Sequence, residues 1–237
     1  MPRARPPEAI TETDGATESL RRSPRQARGE RRVSALLDAT AIEIAEHGLA
    51  TLTAERIARR ANTAKGSFYQ FFPNSEAVVS ALAARYANEL ATIYAVAFGD
   101  VGSRSTVRSL VDRVILPLAA FHDRNPAFRH VFEAARQARE ADGTGRLIAR
   151  LRETMIERVE RLMLVQFPVL TPEERMRHAR VVQAMGQALL YLRAEAQGDE
   201  RAALLVATRE ALVRYLDGLI PEPAPLRGRE AARSRRR

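Results

Sequence analysis

The sequence predicts an all-α protein, on three observations. Between residues 29 and 220 apolar residues recur at helical spacing, and no stretch sustains the alternation a half-buried strand needs. Ser, Thr, Asn, Gly and Pro punctuate that pattern where helices would start and stop. With 46% apolar and 28% charged residues over 237 positions, there is material for a sizeable core in one or two domains. Four segments follow. An arm over 1–28 and a tail over 221–237, both rich in Pro and Arg and expected to be disordered, enclose a helical unit over 29–92 and a helical module over 93–220.

Composition also excludes. Without cysteine there is no disulfide, thiolate nucleophile or Cys-ligated metal. No run of about 18 uncharged apolar residues occurs and the N-terminus has no apolar stretch, which argues against membrane spans and secretory signals and for a cytoplasmic protein. The net charge of +9 sits mostly at the ends: residues 1–32 carry +3 and 221–237 carry +4, leaving +2 for the body.

The first helix is expected over about 30–47, with Val33, Leu36, Leu37, Ala41 and Ile44 on one face and Gly48 ending it. Thr53 is a good N-cap for a second, short helix burying Ile57, Ala58 and Ala61. Asn62 and Thr63 break the chain before a third helix over about 64–71, and Pro73-Asn74-Ser75 caps a longer one from Glu76 to about Phe98. Three helices with so short a turn between the last two have the dimensions of a helix-turn-helix DNA reader, though small helical bundles share them.

The third helix discriminates further. At 100° per residue Ala64, Phe68, Phe71 and Phe72 cluster as a buried side; Gly66, Tyr69 and Gln70 fall opposite, flanked by Lys65 and Ser67. A glycine on an exposed helical face costs about 1 kcal/mol against alanine, which is tolerable where something must approach the backbone. Lys, Ser and Tyr suit phosphates and Gln pairs bidentately with adenine, so the face fits DNA; a merely solvated surface is the competing reading.

These residues carry a resemblance. LLDATAIEIAEHG (36–48), TLTAERIARRAN (51–62) and TAKGSFYQFFPNSEAV (63–78) make Arg32–Asn88 similar to the DNA-binding domain of TetR-family transcriptional regulators. The resemblance implies contacts to phosphates and bases by Thr53, Thr63, Lys65, Gly66, Ser67, Tyr69 and Gln70, with Phe68 and Phe72 in the core. It also implies a C-terminal helical module that binds a ligand and dimerises. Ala64 and Ser75 depart from the family's usual Ser/Thr and Lys, which weakens backbone contacts. Residues 33–92 carry a net −1, and the arginines before them (Arg21, Arg22, Arg25, Arg28, Arg31, Arg32) are either compensating phosphate contacts or a solvated tail.

In the module, helices are expected from about Ser105 to His122, over 126–140 after Asn125-Pro126, and to about Gln166 after a loop at 142–145. Two more are expected after the capping box Thr171-Pro172-Glu173-Glu174 and over about 200–219. Pro117 should kink its helix. The helix after Thr171 is uncharged all round from Val181 to Leu192, so it is buried on more than one side. One stripe is Val181, Val182, Met185, Ala188, Leu189 and Leu192, the other Gln183, Gln187 and Tyr191. With the last helix it suggests a four-helix dimer interface using Val181, Met185, Ala188, Leu192, Leu205, Leu212 and Leu216, Gly186 allowing close approach. Which stripe faces the partner is open; the other would line the interior. Candidate pocket residues are Phe98, Phe121, Phe128, Phe132, Met155, Met163, Phe167, Gln183, Gln187 and Tyr191, with ordinary core as the competing reading for the aromatics and methionines. The implied ligand is mostly apolar, aromatic or acyl.

Catalysis has no support: the four histidines lack metal-ligand spacing and no phosphate-binding or nucleophile motif occurs. The expectation is therefore a homodimeric, ligand-responsive regulator, most often a repressor in this family, on a palindromic double-stranded operator, without cofactor. The alternatives are a small-molecule carrier with little DNA binding and a nonspecific Arg-tailed DNA-coating protein.

Overall fold

Polar side-chain caps set the starts of four helices. The computed structural model describes residues 24–99, 105–137 and 143–219. Its helices are α1 (Pro24–His47), α2 (Ala54–Arg60), α3 (Lys65–Tyr69), α4 (Ser75–Ala97), α5 (Val107–Arg124), α6 (Phe128–Gln137), α7 (Gly143–Gln166), α8 (Pro172–Glu195) and α9 (Gly198–Asp217). Among the described residues there is no strand, and no helix is long and apolar enough to cross a membrane.

Thr53 caps α2 by accepting from Arg56 N at 3.3 Å, and Asn74 caps α4 by accepting from Ala77 N at 2.8 Å. Thr106 caps α5, and Thr171 and Glu174 cap α8 reciprocally. Gly48 (φ 74°) ends α1, and Asn62 (φ 51°) takes the left-handed conformation that turns α2 into α3.

Three expectations about the chain change. Helix α1 starts at Pro24, so residues 24–28 extend the first helix; proline is a favoured first residue because its missing N–H needs no partner there. The rest of the arm and the tail from 221 lie outside the described residues. Helix α7 takes in Gly143, Thr144 and Gly145, expected as a loop. Helix α6 begins at Phe128, with Pro126 and Ala127 in the preceding turn. Helix α5 runs through Pro117, which lies on its exposed side.

The core of the first unit is Leu36, Ile44, Ile57, Phe68, Val78 and Leu82, contributed by α1 to α4 and all essentially inaccessible. Helix α4 is shared: its first half packs on α1, and its second half packs on α5 and α7 in the C-terminal module. There α8 lies between α7 and α9, and α5 packs on both α8 and α9. Bidentate ion pairs pin this arrangement, Arg209 to Asp112 (2.6 and 2.7 Å) and Arg193 to Asp123 (2.8 and 2.8 Å).

Candidate nucleic-acid interface and ligand cavity

Helix α3 presents two unlike sides. Phe68 and Phe72 are buried, their rings 5.8 Å apart, and Phe71 is half-buried. Ala64, expected beside them, is exposed because it is the cap residue and precedes the first helical turn. On the outer side Lys65, Gly66, Tyr69 and Gln70 are exposed, with Tyr69 half-accessible at 50%, while Thr63 and Ser67 are intermediate. A Cβ built on Gly66 would meet nothing within 4 Å, so the backbone there is open to a close partner. Thr53 is exposed at the start of α2, its hydroxyl engaged in the cap.

The charges around this face are mostly committed. Glu43 of α1 accepts from Arg56 (2.9 Å) and Arg60, and Arg60 also reaches Glu46. Burial acts to raise the Glu43 carboxyl, but the hydrogen bonds and charges of Arg60 and Arg56 outweigh it and hold the group below the usual carboxylate range. Arg59 pairs with Glu55 and Arg85 with Asp38. Among the described residues, Lys65 is left as the one cation of residues 33–92 without a carboxylate partner. Arg28, Arg31 and Arg32 are exposed on the first turns of α1, and a Cβ built on Gly29 between them would meet the ring of Phe71, just after α3, at 4.0 Å.

The C-terminal module encloses a cavity of about 560 Å³ between α4, α5, α6, α7, α8 and α9. Nine of the ten expected pocket residues line it: Phe98, Phe128, Phe132, Met155, Met163, Phe167, Gln183, Gln187 and Tyr191. Phe121 does not. Its ring is fully buried behind the wall, edge-on to Tyr86 (6.0 Å) and Phe128 (4.8 Å). The Gln–Tyr stripe of α8 therefore faces inward. Gln183 Nε2 donates to Gln187 Oε1 at 3.0 Å, and Gln187 Nε2 donates to the Tyr191 hydroxyl at 3.1 Å.

Polar lining residues that sequence reasoning missed are Tyr94, His122, Glu133, Arg152 and Gln166. The only sequence signal for them is a polar residue placed amid apolar helical neighbours, and that is not selective. His122 is buried; desolvation and the charge of Arg193 draw its pKa down to about 4 against a weaker pull from Asp123, so the imidazole is neutral. Burial likewise raises the Tyr94 phenol.

Several expected dimer residues belong to the protomer's own core. Leu212 and Leu216 are 2% and 9% exposed and line the cavity, while Met185 and Leu205 pack half-buried against the same core. Gly186 is buried facing Ile115, not a partner. The helices turn their Leu-bearing stripes inward because that is where a monomer's apolar area is removed from water. Ala184 and Ala188 are exposed but belong to the cavity lining; what remains outside is Leu192 on α8, with Val181 partly exposed, and Ala202, Ala203, Val206 and Ala207 on α9.

Two family models match the chain. Residues 36–82 match the model described as bacterial regulatory proteins, tetR family, and residues 106–216 match the tetracyclin repressor-like C-terminal domain. The chain belongs to the TetR family. Together the TetR models cover the helix-turn-helix unit and the cavity-bearing module, and this is a DNA-binding transcriptional regulator with a ligand-binding C-terminal domain. Solved TetR-like structures share the fold. A TetR-like transcriptional regulator from Rhodococcus sp. RHA1 is 18% identical with a TM-score of 0.63, the match covering 79% of this chain and 96% of that one. A transcriptional regulator from Aquifex aeolicus VF5 is 16% identical at a TM-score of 0.57, over 80% and 99% of the two chains. A TetR-family regulator from Streptomyces coelicolor is 25% identical at 0.50, again over 80% and 99%. Comparison with curated protein sequences gives no match.

Proposed function

We propose that this TetR-family regulator acts in the cytoplasm as a homodimeric repressor, reading a palindromic operator with two copies of α3 and releasing it when a mostly apolar molecule fills the cavity. The observation that carries the DNA reading is the outer side of α3. Lys65, among the described residues the one cation of 33–92 without a carboxylate partner, stands there beside an open glycine backbone at Gly66. Lys65, Ser67 and Tyr69 suit phosphates and Gln70 a base edge, while Thr53 and Thr63 flank the turn. The apolar residues outside on α8 and α9, Val181, Leu192, Ala203, Val206 and Ala207, fit a helix pair that packs against its own copy.

A path from cavity to DNA-reading unit supports the coupling. Tyr191, His122 and Phe128 line the cavity in edge contact (His122–Tyr191 5.6 Å, His122–Phe128 5.0 Å), and Phe128 meets Tyr86 of α4 at 5.7 Å. Arg85, next along α4, bonds Asp38 of α1 at 2.6 Å. A ligand shifts the operator equilibrium only by its difference in affinity for the two dimer geometries.

The test is selection of binding sites from random-sequence duplexes at about 150 mM salt, where nonspecific phosphate binding is suppressed. A palindrome with half-sites about 34 Å apart is expected. Enrichment of isolated half-sites would remove the dimer from the reading, and salt-sensitive binding to any duplex would replace operator recognition with coating.

A further inference from the structure

Around the cavity the arginines fall into two groups. Arg129 pairs at 3.2 Å with Glu133, which lines the cavity, and also with Glu195. Arg175 pairs with Glu160 at 2.8 Å and Arg193 with Asp123 at 2.8 Å. Two arginines of α7, Arg152 and Arg158, have no such partner among the described residues. No Asp or Glu stands three or four residues from either along the helix, where an ion pair would form.

Arg152 is itself part of the cavity lining, exposed where the cavity meets solvent. Arg158 lies on the same side of α7, a turn from the lining residues Met155 and Leu162, and is half-buried. Its Nε is sealed from water without a hydrogen-bond partner. Burial raises the phenol of Tyr94, a lining residue of the helix packed on α7, and the charge of Arg158 draws it back. The guanidinium therefore acts on the cavity wall.

A half-buried guanidinium without a counter-charge is costly. The lining offers it none: its acid, Glu133, is taken by Arg129, and its other polar groups are amides, phenols and the neutral imidazole of His122. The planar fork of an arginine matches a carboxylate with two parallel N–H···O bonds. The two arginines are six residues apart, about 9 Å along α7, and their long stems let both bear on one acid group. Most of the remaining wall is Leu, Val, Ile, Phe and Met around a space of about 560 Å³, enough for a drug-sized molecule.

Resting on the reading of the cavity as the effector site, we propose that the effector is an amphipathic anion, an apolar body bearing one carboxylate, and that this carboxylate pairs with Arg152 and Arg158. A neutral molecule leaves both cations uncompensated, and an amine is repelled by them.

Calorimetric titration of the full-length protein with decanoate, 1-decanol and decylamine, matched in chain length, tests this. Decanoate is expected to bind about tenfold tighter than decanol, with decylamine weakest, a ranking that needs no variant to read. The double variant Arg152→Gln, Arg158→Gln, checked for folding by its thermal midpoint, should erase the advantage of decanoate and leave decanol unchanged. Arg161→Gln, which removes an exposed cation of the same helix, should preserve that advantage. The inference is overturned if decanol or decylamine binds as tightly as decanoate, if the double variant keeps the decanoate-to-decanol ratio, or if Arg161→Gln lowers it as much; the cavity then remains a site for a neutral guest. If none of the three binds, the inference falls together with the reading of the cavity as a ligand site. If the ratios behave as expected but decanoate leaves operator affinity unaltered, the ligand class stands and the regulatory reading of the cavity falls.

Discussion

Glu43 and His122 are both buried ionisable side chains, 6% and 8% exposed, and the two halves of the molecule treat them oppositely. Glu43 stays charged because Arg56 and Arg60 cross from α2 to meet it, so the ions tie α1 to α2 beneath the reading helix. His122 has no such compensation. Arg193, the nearest strong charge, is already spent on Asp123 and pushes the imidazole further toward its neutral form. Burial in the first case is offset by fixed opposite charges; in the second the group gives up its charge. The DNA-reading unit thereby keeps its buried charge by pairing it across two helices, while the ligand-binding module carries a neutral imidazole in its cavity wall.

The largest way to break this contrast is acid. The folded pKa of His122, about 4, lies below its unfolded value near 6.5, so protonation favours the unfolded chain. The stability this group contributes is complete above about pH 6.5 and drains away as pH falls toward 4, on the order of 3 kcal/mol. Glu43, lowered in the fold, keeps its contribution through most of that window and loses it only as pH drops through its depressed pKa. Urea unfolding at a series of pH values should show the slope in the wild type and a flatter one in His122→Phe; equal slopes would mean that His122 is not held neutral.

On the reading helix the expected effects are smaller and separable. Gln70→Ala should cost about 1–3 kcal/mol of preference at one base position. Lys65→Ala should weaken every sequence alike, by about tenfold, and lower the salt slope by about one ion. A uniform loss for Gln70→Ala would make it a phosphate contact instead. Gly66→Ala is the smallest and the most informative. In an exposed helical position with nothing near its Cβ, alanine should stabilise the fold by about 1 kcal/mol, while operator binding weakens because the backbone can no longer be approached. A variant both stabler and equally tight on DNA would show that no close approach occurs there.

What the sequence made legible was local. Thr53, Asn74 and Thr171 announce helix starts because a cap needs only a side chain and an amide three residues on. Phe68 and Phe72 against Lys65 and Gly66 follow from helical periodicity alone. Other features were decided by tertiary neighbours. Both stripes of α8 are uncharged, so hydropathy does not rank Val181 and Leu192 against Gln183, Gln187 and Tyr191; the cavity does. Leu212 and Leu216 look like interface residues until α5 and α8 are seen to cover their side of α9. Phe121 and Phe128 are chemically alike and both lie edge-on to Tyr86, so only the packing of the folded bundle separates the ring behind the wall from the ring in it. Pro24 was hidden by composition, since a helix end rich in arginine reads like a tail.

Phe128 belongs at once to the cavity wall and to the contact with α4. Natural variation at that position would alter which molecule is recognised and how recognition is transmitted in a single step, so it is poorly placed for gradual change. Met155 and Met163 on α7 and Phe167 just after it shape the same cavity without touching Tyr86. A lineage acquiring a new ligand has its freedom there, and the evolvability of the cavity is lopsided: one wall is open to experiment, the other is held by its contact with α4.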